Sequence, residues 1–536
     1  MAQDTPTQSL SSAERKVIFA SSLGTVFEWY DFYLYATLAT SFAAAFFPKG
    51  NDTATLLSAL ATYAAGFVVR PFGALVFGRI GDLVGRKYTF LVTISVMGIA
   101  TFGVGVLPTY ESVGILAPIL LTLMRLLQGL ALGGEYGGAV IYVAEHSSPK
   151  RRGYSTSWIQ TTATIGFFLS LVVIGVCRKL IFSEAEFKQF GWRVPFWFSL
   201  VLLGFSLYIR LKLRESPVFL KMKSEARTSK HPLRDSFLRY PNNKYVVLAL
   251  FGAVAGQGVV WYTGQFYALL FLQNTLHVDY WTSYLLMGGA LLLGTPFFLI
   301  IGKLSDRVGR IKIIAAGCLL ASISYFGVFK ELTHFLNPDL EAFRDQTAIS
   351  VAADNCNIHL FPTGKTVYSD CDQVRNFFTK RGLSFDLKPA AGGEISVQVA
   401  DTPLQGWHPD KTGDDPRYVA ALANRNYPAG AEHSNYLGAL LLLWYLIILV
   451  TLVYAPIAAF LVELFPANIR YTSMSLPYHL ANGWIGGLVP LIAAVIAASA
   501  GDIYYGLWYP VIVAGITLVV GLAFLRDAKP DFDINT

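Results

Sequence analysis

The sequence is short of charge. Asp, Glu, Lys and Arg make up 14% of its 536 residues, where a soluble protein of this size carries about 25%. It also lacks the marks of several chemistries. Its 4 cysteines show no Cys-x-x-Cys or Cys/His ligand spacing. No nucleophilic triad stands out. The stretch GFFLSLVVIG has no phosphate-loop lysine, so ATP is not implied. These absences argue against a soluble enzyme, a metalloprotein and an ATP-driven pump, and no cofactor is expected.

What is plentiful is apolar sequence: 54% of residues, with a mean hydropathy of +0.47. A helix that spans a bilayer needs about 20 mostly apolar residues. Twelve runs qualify: 17–46, 54–78, 88–107, 113–146, 154–177, 194–213, 244–273, 280–302, 311–330, 436–464, 473–498 and 505–526. The expectation is an all-α membrane protein with twelve transmembrane helices. The start, MAQDTPTQSLSSAERK, is polar, and no small-residue cleavage site follows the first run. That run is read as a retained helix rather than a signal peptide.

Charge sets the orientation. Segment 210–244 holds ten basic residues (Arg210, Lys212, Arg214, Lys221, Lys223, Arg227, Lys230, Arg234, Arg239 and Lys244) against Glu215, Glu225 and Asp235. Its net +7 equals that of the whole chain. The short basic loops 79–87, 150–152 and 303–312, Arg470 and both termini fall on the same side of the count. The positive-inside bias puts that side in the cytoplasm. Scattered short loops without interleaved aromatics do not read as a nucleic-acid surface.

The chain repeats itself. GRIGDLVGRK (78–87) recurs as GKLSDRVGRIK (302–312), so Gly78, Asp82, Gly85 and Arg86 map onto Gly302, Asp306, Gly309 and Arg310. YVAEHSSPKRRG (142–153) resembles FLVELFPANIRY (460–471), with Glu145 matching Glu463. The offset grows from 224 to 318, so an insertion separates helices 9 and 10. The reading is two six-helix pseudo-repeats: residues 1–209, with helix 6 ending near 213, and 244–330 with 436–536. A basic linker, 210–243, joins them. The insertion, 331–435, carries 14 acids against 9 bases and falls outside. Within it, CDQVRNFFTKRG (371–382) reads as a helix ended by Gly382, LSFDLKP as extended, and ISVQVA (395–400) as a strand. A small α+β cap is expected; a partly ordered, inactive loop is the alternative. Cys356 and Cys371 lie in it, and an oxidising compartment favours a disulfide between them. His359 and His408 form no ligand cluster with them. Cys177 and Cys318 read as packing.

Ionisable groups in a membrane are costly and usually face a cavity or a partner. Glu28, Asp31 and Tyr35 share one face of helix 1. Arg125, Gln128, Leu132 and Glu135 share one face of helix 4, within about 80°. A mobile Arg125 could switch an acid between proton uptake and release, which makes Asp31, Arg125, Glu135 and Glu28 candidates for proton coupling. A static buried salt bridge is the plainer alternative, and Glu28 could equally partner Arg70. The doubled GxxxDxxGR suits a gate: Gly78 and Gly302 allow close approach, while Asp82, Arg86, Asp306 and Arg310 form pairs that break in one conformation. Glu145, Glu463 and Arg470 are candidate partners. A substrate site belongs near the midplane between the halves. Besides Arg125, Tyr35 and Gln128, the candidates are Gln160, Trp261, Tyr262, Gln265, Tyr478 and Asn482. Gln257 shares the Trp261 and Gln265 spacing, and His479 reads as a satisfied core residue.

These residues resemble the major facilitator superfamily. EWYDFYLYA (28–36), RPFGALVFGRIGDLVGRK (70–87) and RLLQGLALGGEYGGA (125–139) are similar to its metabolite:proton symporters, which carry citrate, 2-oxoglutarate, shikimate, proline or betaine. The resemblance covers nearly all the chain except 331–435, and Ile311 stands where the first copy has Lys87. It implies that Asp31, Arg125 and Glu135 serve coupling and the central site, and that Asp82, Arg86 and Glu145 serve the gate. It implies secondary active symport of a small polar metabolite with protons in a bacterial inner membrane, both termini cytoplasmic and 331–435 periplasmic. An organic acid and a zwitterion both fit. An exporter fits less well, because TTATIGFFLSLVVIGV lacks an antiporter's Gly-Pro pattern; a transporter-like sensor is the third class. The expected partners are the substrate, protons and the bilayer, not nucleic acid, with the chain acting as a monomer.

Overall fold

The computed structural model describes residues 12–47, 52–212, 215–354, 356–357, 367–390, 395–411, 413–428, 430 and 433–527. Arg214, His359 and most of the polar N-terminal stretch lie outside the described residues.

The helices follow the apolar runs. Helix 1 is Ser12–Phe46 and helix 2 is Asp52–Leu83. Beyond these two, ten helices among the described residues are long and apolar enough to cross a bilayer. In order, helices 3 to 6 are Arg86–Val106, Leu116–Glu145, Pro149–Ile181 and Arg193–Leu211. Helices 7 to 9 are Asn242–Thr275, Tyr280–Val308 and Arg310–Leu336, and helices 10 to 12 are Tyr436–Leu464, Arg470–Ala500 and Tyr505–Phe524. Helices 1–6 and 7–12 form two halves. Helix 2 packs against helix 11 and helix 5 against helix 8 across the seam.

Small residues let these helices approach. Within the first half, a Cβ on Gly129 would stand 2.0 Å from the Gly66 carbonyl oxygen, and one on Gly73 2.0 Å from that of Leu130. Helices 2 and 4 therefore touch backbone to backbone, which brings Arg70 and Arg125 to one cavity. Helix 7 is not regular. It takes π-helical turns at Leu250–Val254, Thr263–Tyr267 and Phe271–Thr275, and helix 11 takes one at Leu480–Ile485. Each π turn rotates the residues beyond it, a device often found at functional sites.

The insertion is an α+β unit. Strands β1 (Ile349–Ala352), β2 (Asp386–Lys388), β3 (Ser396–Val399) and β4 (Thr402–Gln405) form one sheet in the order β2-β1-β3-β4. β1 pairs in parallel with β2 and antiparallel with β3. The helix Asp370–Thr379 connects β1 to β2, capped by Ser369 and Asp372. It ends before Gly382, which turns at φ 64 just beyond it. Val351, Val374, Phe378, Val397 and Tyr418 are buried in the unit's core. The unit rests on the second half: the Phe385 amide donates to the Gly501 carbonyl at 2.7 Å, and the Asn337 side chain to the Leu276 carbonyl at 2.9 Å.

Cys356 and Cys371 are joined by a disulfide, 15 residues apart. Closing a loop of that length stabilises by about 3 kcal/mol in the chain-entropy model. Replacing both with Ser is expected to let protease cut the insertion at lower temperature while the spans stay intact. Unchanged protease resistance would contradict that contribution.

Candidate functional site: a closed centre between two gates

Helix 1 enters from the linker side and presents Asp31 near its middle. Asp31 is 2% exposed and Arg125 4%. Arg125 Nη1 donates to Asp31 Oδ2 at 3.4 Å, and Gln128 Nε2 donates to Asp31 Oδ1 at 3.1 Å. Gln128 Nε2 also reaches Thr101 Oγ1 at 2.8 Å. The Arg125 guanidinium lies 3.6 Å from the centre of the Tyr35 ring. Its remaining edge, Nε and Nη2, is buried without a hydrogen-bond partner among the described residues. Asp31, Phe32, Phe67, Arg70, Arg125 and Gln128 line a small cavity there.

Glu135 does not join this group. It pairs with Arg210 of helix 6 instead: Arg210 Nη2 donates to Oε1 and Nη1 to Oε2 at 3.2 Å, while Thr93 Oγ1 donates to Oε2 at 2.8 Å. The shared arc with Arg125 is real in projection, but Glu135 lies three turns along the helix, where helices 3 and 6 cover that face. A Cβ on Gly24 of helix 1 would overlap the Arg210 guanidinium. Glu28, one turn beyond Gly24, makes no direct pair with Arg70, although Arg70 is the strongest opposite charge acting on it.

The wall contributed by the second half is aromatic. Tyr478 stacks on Tyr136, ring centres 3.8 Å apart, and its hydroxyl lies 3.2 Å from that of Tyr454. Trp261 packs on Trp29 at 4.9 Å. The Tyr262 hydroxyl faces Arg70. Gln160 Nε2 donates to the Tyr136 hydroxyl at 2.8 Å, leaving its Oε1 unpartnered among the described residues. Two expectations from regular helical spacing change. The π turns turn Gln265 to helix 1, where it accepts from the Tyr33 hydroxyl at 2.9 Å. Gln257 and Asn482 bond each other reciprocally, at 3.1 and 3.0 Å, which occupies Asn482 in this conformation. His479 is not satisfied: both ring nitrogens are buried without partners among the described residues.

The doubled motif closes the linker side. Asp82 accepts from the backbone amides of Tyr471 and Thr472, at 3.3 and 2.9 Å, at the start of helix 11. Asp306 accepts from those of Gly153 and Tyr154, at 2.8 and 2.9 Å, at the start of helix 5. Each carboxylate thus caps the positive end of a helix from the opposite half. Arg86 pairs with Asp82 at 2.9 Å and Arg310 with Asp306 at 2.7 Å. Gly78 and Gly302 permit the contact, since a Cβ would meet Thr472 Cα at 3.0 Å or Ser157 Oγ at 2.4 Å. Glu145 pairs across the seam with Arg470 at 3.1 Å. Glu463 stays within its own half, paired with Arg310 at 3.0 Å. On the insertion side, Tyr33 to Gln265 and Thr37 to Tyr284, 3.3 Å apart, hold helix 1 against helices 7 and 8.

Sequence reasoning missed several participants. Glu215 accepts from the Arg86 amide at 3.1 Å and Asp527 from the Arg310 amide at 2.7 Å. Both brace a motif glycine at positive φ, Gly85 at 140 and Gly309 at 108. The signal was the similarity of LRESPVF (213–219) to LRDAKPDF (525–532). Arg152 stands at the repeat position of Arg470, at the same offset of 318. Trp29, Tyr33 and Tyr136 carried no sequence signal beyond being aromatic.

Comparison with known proteins agrees with this architecture. The sugar (and other) transporter family matches over residues 16–250. The inner membrane metabolite transport protein YhjE of Escherichia coli is 32% identical over 509 residues, covering 95% of this chain and 93% of that protein. The proline/betaine transporter of the same organism is 36% identical over 319 residues, 58% of this chain and 63% of that protein. Among solved structures, the proton:xylose symporter XylE aligns over 97% of each chain with a TM-score of 0.63 at 15% identity. A partially occluded inward-open form of XylE from E. coli gives a TM-score of 0.58 at the same identity. The chain therefore belongs to the major facilitator superfamily, in its sugar (and other) transporter family, and is a multi-pass membrane transporter.

Proposed function

We propose that the chain imports a small carboxylate-bearing metabolite together with protons, by alternating access. The observation that carries this reading is the free side edge of Arg125. Nε and Nη2 point along one edge of the guanidinium and lack partners among the described residues, the geometry that grips a carboxylate through two parallel bonds. Nη1 is meanwhile held by Asp31. A substrate carboxylate and Asp31 then compete for one cation, and proton uptake at the buried centre biases the competition. Asp31 and Arg125 form the coupling pair, Tyr35 and Gln128 hold them in place, and the aromatic wall with Gln160 and Gln265 shapes the substrate space. Glu135 supports the centre by anchoring Arg210.

The linker side faces the cytoplasm with both termini, and 331–435 faces the periplasm of a bacterial inner membrane. The chain works as a monomer without chemical conversion of its substrate, and the proton is its only coupling partner.

An organic acid is the first candidate. A zwitterion is the second reading, favoured by the ring faces of Trp29, Trp261 and Tyr262, which attract cations. Relatives named as proline/betaine transporters point the same way. Labelled counterflow in liposomes, run over mono-, di- and tricarboxylates, shikimate-like acids, proline and betaine, tests the reading. One class should exchange, and Arg125→Gln should abolish that exchange. Transport of a compound without a carboxylate, unaffected by Arg125→Gln, would overturn it.

A further inference from the structure

Helix 1 carries a second acid one turn from Asp31, and the two are treated differently. Asp31 accepts from Arg125 and Gln128. Glu135 accepts from Arg210 and Thr93. Glu28 is 8% exposed, and its Oε2 is buried with no hydrogen-bond partner among the described residues. No cation stands in ion-pair contact with it among those residues.

Its surroundings come from every packed element. The charges that act on Glu28 are Arg70 of helix 2, Glu135 of helix 4, Arg210 of helix 6 and Asp31 of its own helix. Arg210 is already bound to Glu135. Arg70 leans on the Phe67 ring, 4.4 Å from its centre. Glu28 in turn acts on the hydroxyls of Tyr136, Tyr262, Tyr454 and Tyr478. Those tyrosines stand on helices 4, 7, 10 and 11, so Glu28 faces the space between the halves. That space changes sides when a transporter of this kind switches.

A bare carboxylate in such a place costs several kcal/mol even after relaxation, and the group neutralises instead. We propose that Glu28 carries the transported proton through the closed conformation, as a neutral carboxylic acid, while Asp31 stays ionised against Arg125. The proton passes from water on the insertion side to a Glu28 oxygen, and from there to water on the linker side once that gate opens. No bond to substrate forms or breaks. The inference rests on the symport reading, and deepens it by separating the proton carrier from the substrate's competitor.

The test uses the full chain in liposomes and a hydrated film. Glu28→Gln should still exchange substrate down its gradient, but lose proton-driven accumulation and the pH dependence of uptake. Infrared spectra should show a carboxylic acid C=O band that shifts in D2O, present in the wild type, retained in Asp31→Asn and absent in Glu28→Gln. Accumulation by Glu28→Gln at the wild-type level would overturn the proposal. So would an acid band that survives Glu28→Gln, or its absence from the wild type, a measurement that stands even where the variant fails to fold. Failure of the symport reading looks different: the wild type itself would then move no protons.

Discussion

Asp31→Asn is expected to abolish proton-driven accumulation while leaving substrate binding at least as tight as in the wild type. The pair it breaks is buried at both ends, 2% and 4% exposed. Removing one partner of a buried ion pair costs about 3–5 kcal/mol, because the other charge is left uncompensated. Here the stranded charge is Arg125, and a substrate carboxylate can compensate it. The variant should therefore bind and hold its substrate rather than cycle. A neutral amide cannot draw Arg125 back from the substrate carboxylate, so the loaded carrier should stall and the concentration ratio across the membrane should fall to that of passive equilibration. Measured uptake against a pH gradient, beside binding by scintillation proximity, separates this from simple misfolding. A variant that still accumulates substrate would remove Asp31 from coupling. One that neither binds nor folds would show instead that the pair only locks helices 1 and 4 together.

The second large effect is expected at the linker-side gate. Asp82→Asn with Asp306→Asn should shift the protein toward a form open on that side. Each carboxylate accepts two backbone amides from the first turn of a helix in the opposite half. Hydrogen bonds to a charged group contribute about 1.5–3 kcal/mol each. The asparagine amide keeps one acceptor oxygen, but it loses the charge that meets the helix end and the adjoining Arg86 or Arg310. A cysteine placed at Ser475, which is 1% exposed in the closed form, reports the change. It should react with a bulky impermeant maleimide at least tenfold faster when both aspartates are replaced, a shift of about 1.4 kcal/mol. Turnover should fall with it, since a carrier held open on one side cannot return. Equal labelling in both backgrounds would mean that the repeated motif does not set this equilibrium.

The parts legible in the sequence were those written in local pattern. Apolar runs placed the twelve spanning helices with ends off by at most six residues, because hydrocarbon thickness fixes their length. The insertion's strand at 396–399 followed from alternation, and its helix, read at 371–382, from the glycine that ends it. The contacts that hold the linker side together were legible because their motif is written twice. What stayed hidden depends on neighbours far away in the chain. Glu135 shares an arc with Arg125, yet which helix covers that arc is decided by packing against helices 3 and 6. Gln265 was placed on a regular helix, and the π turn Thr263–Tyr267 sends it to helix 1 instead. No local residue type announces such a turn. Arg70 was read only as an alternative partner for Glu28; its place beside Asp31 and Arg125 in one cavity depends on helices 2 and 4 touching. The bracing acids Glu215 and Asp527 were detectable in principle, as a third repeated pair at the end of each half.

The most direct test is a substrate pulse given to the purified wild type in liposomes loaded with a pH dye. The account predicts that one class of carboxylate-bearing compound acidifies the lumen as it enters, and that Asp31→Asn removes the acidification. Entry of the substrate with no proton movement, in protein shown to be folded, would contradict it.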